Sequence, residues 1–182
     1  MRAVETVKSI EIPEGVLVKV EGRVITVNGE KGELTQDFSH APISIRLEGK
    51  TITVQANWPR KKENALIWTV SSHIQNMIKG VTKGFTYKLK IVFSHFPISV
   101  KTREKTVAIE NFTGERSPRI AKIIGDTKVM VKSEDVIVQG NNIEDVSQTA
   151  ANIQNATKVK KKDPRVFLDG IYIYERHEGM EE

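Results

Sequence analysis

Hydrophobic and polar residues alternate along the first part of the chain. Residues 16–20 (VLVKV) place an apolar side chain at every second position, and residues 25–27 (ITV) resume the alternation after a short break. A period of two puts successive side chains on opposite faces of a β-strand. Residues 21–22 (EG) and 28–29 (NG) follow these runs and are typical of tight turns. The pattern predicts antiparallel hairpins.

Two later segments have a different period, with apolar residues spaced three and four apart. This spacing places them on one face of an α-helix. Asn64 is the predicted N-cap of the first helix, and Asn141 or Asn142 that of the second, because a short polar side chain can accept from free backbone donors there. The apolar positions are Ile67, Val70, Ile74, Met77 and Ile78 in the first segment, and Ile143, Val146, Ala150 and Ile153 in the second.

The chain contains an internal repeat, so these elements occur twice. Each copy has strands followed by one helix, and a sheet and a helix with one apolar face each can bury those faces against one another. The matched stretches are residues 45–57 with 129–141, 16–33 with 98–115, and 74–76 with 153–155.

The duplication predicts an α+β fold of two tandem homologous domains, each with antiparallel β-strands packed against one α-helix. We expect the first domain to span residues 1–82 and the second to span residues 83–182. The glycine-flanked stretch 80–84 (GVTKG) marks the expected junction.

Composition narrows the functional classes. The formal net charge of +5 makes a polyanionic partner plausible. Cysteine is absent, which excludes disulfides, thiolate nucleophiles and cysteine-based zinc sites. No apolar run is long enough to span a bilayer, and the N-terminus lacks a signal-peptide pattern. We therefore expect a cytoplasmic protein with no membrane partner.

Catalytic motifs are lacking as well. The sequence has no Gly-rich phosphate loop ending in Lys-Ser/Thr, no Gly-x-Ser-x-Gly and no His-Glu-x-x-His. His40, His73 and His95 have no carboxylate at catalytic or metal-ligand spacing, so a hydrolase using His73 or His95 has little support. We expect no enzymatic activity, no cofactor and no metal.

The loop at residues 111–122 (NFTGERSPRIAK) departs from the corresponding loop of the first copy. Direct alignment places Arg116 and Arg119 where the first copy has Leu34 and Asp37. Pro118 restricts the backbone between the two arginines, so little conformational entropy is lost when the loop binds a partner. The planar donors of the two guanidiniums match phosphate oxygens. An ordinary solvated turn is the alternative.

Residues 158–176 combine clustered positive charge with aromatic residues. Clustered lysines attract phosphates, and aromatic rings can stack on bases or anchor the segment on its own domain. In a strand, residues 171 and 173 would face one side and residues 172 and 174 the other. The alternative is a basic linker into a final edge strand, with a turn at Asp169 and Gly170. The residues concerned are Lys158, Lys160, Lys161, Lys162, Arg165, Phe167, Ile171, Tyr172, Ile173 and Tyr174.

Several long blocks resemble one family, the sixth protein of the large ribosomal subunit, in its archaeal and eukaryotic form. They are residues 71–90, 95–98, 111–115, 135–157 and, above all, 162–172 (KDPRVFLDGIY). The C-terminus lacks both the proline- and glycine-rich basic segment usual in bacterial members and a long lysine-rich extension. In this it resembles the archaeal form.

The resemblance implies a structural ribosomal protein with two tandem α+β domains. It implies binding to large-subunit ribosomal RNA, chiefly through the second domain and C-terminal segment, near the stalk base, the factor-binding region and the subunit interface. Neighbouring ribosomal proteins and nearby translation factors are the other implied partners. The RNA-facing candidates are Arg116, Ser117, Arg119, Lys122, Lys158, Lys160, Lys161, Lys162, Arg165, Phe167, Gly170 and Tyr172.

A protein-interaction module of a ribonucleoprotein is the alternative. It is motivated by the near-neutral first domain and by the acidic residues Glu178, Glu181 and Glu182 at the C-terminus.

Overall fold

A computed structural model describes residues 5–160, 162–163 and 165–180. The chain forms two compact units, Met1–Lys83 and Gly84–Glu182. The expected junction, after residue 82, lies one residue before this division. Gly80 is not part of a linker, because it lies inside a helix. Within the described residues, no helix is long and apolar enough to cross a membrane.

Among its described residues, which begin at Glu5, the first unit contains six strands and one helix. One sheet has the order β1-β6-β5 and the other the order β2-β3-β4, and every pairing is antiparallel. The elements are β1 (Glu5–Glu11), β2 (Leu17–Glu21), β3 (Val24–Gly29), β4 (Gly32–Asp37), β5 (Ser44–Glu48), β6 (Thr51–Asn57) and α1 (Lys61–Thr82).

Helix α1 buries its apolar face against both sheets of the first unit. All five predicted apolar positions, from Ile67 to Ile78, are buried. Each such side chain contributes about 1.5 to 3 kcal/mol when fully removed from water. The predicted N-cap at Asn64 is wrong, because the helix begins at Lys61 and Arg60 is the capping residue. Its backbone N–H donates to the Glu63 carboxylate at 2.5 Å.

The hairpins of the first unit form as predicted, but both turns lie later in the chain than expected. Gly22 and Arg23 connect β2 and β3, one residue beyond the predicted turn at residues 21–22. The next turn lies at Glu30 and Lys31, two residues beyond the predicted position. Gly29 is instead part of β3, where a Cβ atom would lie 2.8 Å from the backbone oxygen of Val81. That glycine permits close packing between β3 and the end of α1.

The second unit repeats this plan and adds one strand. Its sheets have the orders β11-β12-β7-β13 and β10-β9-β8, again antiparallel throughout. The elements are β7 (Phe85–Val92), β8 (Ser99–Arg103), β9 (Thr106–Glu110), β10 (Arg119–Lys122), β11 (Lys128–Lys132), β12 (Asp135–Gly140), α2 (Ile143–Ala156) and β13 (Gly170–Glu178).

The two units therefore share one α+β architecture, as the duplication predicts. Strands β5 and β6 correspond to β11 and β12, and β1 corresponds to β7. Asn142 caps α2, accepting a hydrogen bond from the Glu144 N–H at 3.0 Å, so one of the two predicted caps is confirmed. Strand β13 has no counterpart among the described strands of the first unit.

Strand β13 is an edge strand that lies antiparallel to β7. Its predicted alternation is confirmed. Ile171 is buried and Ile173 packs against the core, whereas Tyr172 and Tyr174 are exposed. The backbone N–H groups of Ile171 and Ile173 donate to the side-chain oxygens of Thr157 and Gln154, both at 3.0 Å. The end of α2 thus satisfies donors on this edge.

Candidate nucleic-acid interface

The cationic loop of the second unit is longer than its counterpart in the first. Leu34 pairs with Val27 across β3 and β4, whereas Arg119 pairs with Ile109 across β9 and β10. Because Ile109 matches Val27 in the repeat, Arg119 occupies the position of Leu34. The direct alignment of Arg119 with Asp37 is therefore wrong, since extra loop residues displace the second copy.

The beginning of this loop is held in a fixed conformation. Phe112 is buried, and the side-chain amide of Asn111 donates to the Pro97 carbonyl at 3.0 Å. Asn111, Thr113 and Gly114 all have positive φ angles. The left-handed region is uncommon for residues other than glycine, so tertiary contacts must hold the loop there.

Arg119 is held by contacts within the protein. Its guanidinium donates to both oxygens of the Glu115 carboxylate, at 2.8 and 2.6 Å, and to the Ala156 carbonyl at 2.8 Å. It also lies 4.2 Å from the centre of the Phe112 ring. Hydrogen bonding to Arg119 lowers the pKa of Glu115, and the same pair raises the pKa of Arg119. Its predicted phosphate contact stays a prediction, and its observed role is to join the loop to α2.

The other predicted loop residues point to solvent. Arg116 and Ser117 are exposed between the two ends of the loop, and Lys122 is exposed at the end of β10. The Lys122 carbonyl accepts a hydrogen bond from the Asn152 side chain at 3.0 Å. The contacts of Arg119 and Lys122 place the loop and β10 beside the C-terminal half of α2.

The basic segment begins where α2 ends. Lys158, Lys160, Lys162 and Arg165 are exposed, and Arg165 lies 3.4 Å from the Asp163 carboxylate. Lys161, also a predicted contact, lies outside the described residues. Because Ala156 accepts from Arg119, the two predicted cationic groups meet at the C-terminal end of α2.

Phe167 stacks on a histidine that contacts a buried carboxylate. Its ring stacks on that of His95 with centroids 5.8 Å apart, and Lys162 lies 4.4 Å from its centre. His95 in turn lies 3.2 Å from the buried carboxylate of Asp169, which also accepts from the Ser94 N–H at 2.5 Å. The Ser94 bond is the main cause of the lowered pKa of Asp169. Of the alternative interpretation, the final edge strand is present, but the turn at Asp169 and Gly170 is wrong, because Gly170 is already the first residue of β13.

Gly170 and Tyr172 act as a pair at the start of β13. A Cβ atom at Gly170 would lie 3.0 Å from the Tyr172 ring, so the glycine lets this ring cover the backbone. Tyr172 is 43% exposed and Phe167 is half-buried. Both aromatics therefore remain accessible, rather than serving only as buried anchors.

A cavity of about 340 Å³ lies beside these rings. Its lining includes Phe167 and Tyr172, the exposed lysines Lys158 and Lys162, and the end of α2. This cavity brings four of the predicted residues together.

Comparison with known proteins identifies the family. A family profile described as "Ribosomal protein L6" matches the chain twice, at residues 12–84 and 96–170, once in each unit. The chain belongs to the ribosomal protein L6 family. The two matches agree with the internal duplication, and the resemblance read from the sequence is confirmed.

The individual relatives support the archaeal form. "Large ribosomal subunit protein uL6" from Staphylothermus marinus is 56% identical over 172 residues, covering 92% of this chain and 93% of the relative. The protein of the same name from Desulfurococcus amylolyticus is 51% identical over 182 residues, covering 98% and 99%. That from Methanobrevibacter smithii is 48% identical over 166 residues, covering 91% and 93%.

Sequence reasoning missed four residues that build this region of the L6-family chain. His95 and Asp169 are 74 positions apart in the sequence and meet through tertiary structure. Gln154 and Asn155 were recognised as part of the repeat, but not as part of the cavity lining. Both residues lie in the last turn of α2, just before the lysine cluster, and this position could have indicated that they belong to the same site.

Proposed function

We propose that this protein is a structural component of the large ribosomal subunit that binds large-subunit ribosomal RNA through its second unit. Family membership supports the ribosomal role. The observation that carries the RNA-binding part is the meeting of the cationic loop and the basic segment at the end of α2. The proposed location is the cytoplasmic ribosome.

Exposed cations on a rigid support explain how the protein would bind folded RNA. Lysine and arginine neutralise phosphates and release condensed counterions. Double-stranded RNA has a deep major groove that side chains cannot read, so recognition relies on phosphates, 2′-hydroxyls and shape. The protein holds RNA in place and performs no catalysis. The described part of this surface comprises Arg116, Ser117, Lys122, Lys158, Lys160, Lys162 and Arg165. Lys161, another proposed contact, lies outside the described residues.

The resemblance supports a more specific location. We place the protein near the stalk base, the factor-binding region and the subunit interface, with other ribosomal proteins as neighbours and translation factors nearby. A map of ribosomal RNA positions protected by the bound protein tests this location. Protection confined to other regions of the large subunit would contradict it.

Salt dependence provides the test of RNA binding. The salt-dependence slope is the slope of log affinity for large-subunit ribosomal RNA against log salt concentration. Changing Lys158, Lys160 and Lys162 together to glutamine should reduce its magnitude by about two units. The matched control changes Lys19, Lys61 and Lys62, which are exposed in the first unit. Equal slopes for the two triple variants would show that the basic segment does not contact the RNA.

A second candidate function is protein binding by the first unit. A groove of about 440 Å³ there is lined by Ile12, Leu17 and Leu47, and Leu17 is 74% exposed. Exposed apolar side chains beside a groove favour a protein surface over RNA. Chemical crosslinking within intact subunits should link this groove to protein, and crosslinks to RNA alone would contradict the idea.

A further inference from the structure

The cavity at the end of α2 has the composition of a base-binding site. We propose that it receives one unstacked nucleobase from a single-stranded position in the RNA, an inference that rests on the proposed RNA-binding function. The cavity volume of about 340 Å³ falls at the lower end of the range for small-molecule sites, roughly 300 to 1,000 Å³.

The two rings in the lining are held in place before any ligand binds. Phe167 stacks on His95, which contacts the buried Asp169, and Tyr172 lies over Gly170. Splayed-out bases of single-stranded RNA are commonly bound by stacking on aromatic side chains. A ring that is already positioned loses little rotational freedom on binding.

The polar part of the lining suits a base and its backbone. Asn155 is exposed at the end of α2, and its amide can both donate to and accept from the edge of a base. Gln154 uses its oxygen to accept from Ile173, so its amide nitrogen remains as a donor. Lys158 and Lys162 supply positive charge for the adjoining phosphates.

Charge favours RNA over a protein segment as the occupant. Among the described residues that line the cavity, two are lysines and none is a carboxylate. The lysines complement the phosphates on either side of a base, and the backbone of a peptide has no such phosphates. The neighbouring exposed cations Lys160 and Arg165 extend the same charge.

Zero-length ultraviolet crosslinking to large-subunit ribosomal RNA tests the site directly. Trypsin releases residues 166–176 as one peptide, because it cleaves after Arg165 and after Arg176 and no lysine or arginine lies between them. We expect a nucleotide adduct on this peptide, localised by fragmentation to Phe167 or Tyr172. Tyr174 lies in the same peptide but outside the cavity lining, so it is an internal control.

Binding measurements with substituted full-length protein supply the second readout. Tyr172→Leu and Phe167→Leu should each weaken RNA affinity by about fivefold or more, which is the effect of losing one base stack. Neither change removes charge, so the salt-dependence slope should stay constant. Tyr174→Leu should leave both quantities unchanged, and thermal unfolding verifies that each variant folds.

The outcomes separate this inference from the proposed function. If the wild-type protein binds RNA while Tyr172→Leu behaves like Tyr174→Leu and the peptide carries no nucleotide, the base site is wrong and RNA binding stands. If the wild-type protein does not bind RNA, the proposed function itself fails. A crosslink from Phe167 or Tyr172 to another ribosomal protein, without a nucleotide adduct, would identify a protein occupant and overturn the proposal.

Discussion

Single residues of the same type have different roles in the cationic loop. Arg116 is exposed, whereas Arg119 binds Glu115, Ala156 and Phe112. Sequence placed both arginines in one loop but could not distinguish them, because the difference arises from extra residues in the loop between β9 and β10. An arginine in the position of a core-facing leucine extends its stem over the core and its charge toward α2.

Substitution of the two arginines should therefore affect stability to different extents. Arg119→Ala should lower the free energy of unfolding by roughly 1 to 3 kcal/mol, because it removes charged hydrogen bonds and leaves the Glu115 carboxylate without that partner. Arg116→Ala should leave stability within about 0.5 kcal/mol of wild type. Urea unfolding compares the two, and an equal loss would contradict the distinction.

Asp169 should make stability depend on acid pH. Its native pKa is lowered, so its stabilising contribution is fully present above the unfolded-state pKa of 3.8 and is lost as pH falls through the native pKa. Asp169→Asn should therefore be less stable than wild type at pH 7, and the difference should shrink below pH 3.8. Urea unfolding at a series of pH values measures this, and a constant difference would exclude the ionised Asp169 carboxylate as the cause.

At the scale of elements, local patterns were sufficient for most strands and both helices. Alternation predicted the exposed and buried faces of β13, and the 3.6-residue period predicted the apolar face of α1. The turn predicted at Asn28 and Gly29 is misplaced because tertiary packing overrides local preference, whereas the start of α1 before Asn64 carries a local contact between Arg60 and Glu63. Asn28 and Gly29 form a favourable turn pair, but Gly29 is required where β3 meets Val81.

Gly29 provides a test of that packing. Gly29→Ala should destabilise the first unit by roughly 1 to 3 kcal/mol, because its Cβ atom would lie 2.8 Å from a backbone oxygen. Gly22→Ala is a useful comparison, since no atom lies within 4 Å but its φ of +66° disfavours alanine. Both Trp58 and Trp68 lie in the first unit, so tryptophan fluorescence reports its unfolding. An unchanged midpoint for Gly29→Ala would contradict the close approach.

At the scale of the whole molecule, the duplication gives two similar units, and two features present only in the second unit distinguish them. The second unit has a longer loop between β9 and β10 and the extra strand β13. Both additions reach the end of α2, where the candidate interface lies. The resemblance in sequence indicated RNA binding, but the cavity could not be predicted, because its walls come from segments that only tertiary structure brings together.

Removal of β13 should expose a sheet edge. A chain ending at Asp169 would leave β7 unpaired on one side and remove Ile171 from the core. Unpaired strands promote association between chains, so this variant should self-associate as its concentration rises. Sedimentation velocity against the full chain provides the measurement, and a monomeric, fully stable variant would show that β13 is dispensable for folding.

The pairing of β7 with β13 also affects the order in which the protein folds during its own synthesis. The first unit is complete once residue 83 has been made, whereas Phe85 must wait for its partner Glu178. At about 5 to 20 residues per second, that delay lasts roughly 5 to 20 seconds. The second unit therefore acquires its final strand well after the first unit is complete, so the candidate interface beside it forms after the rest of the fold.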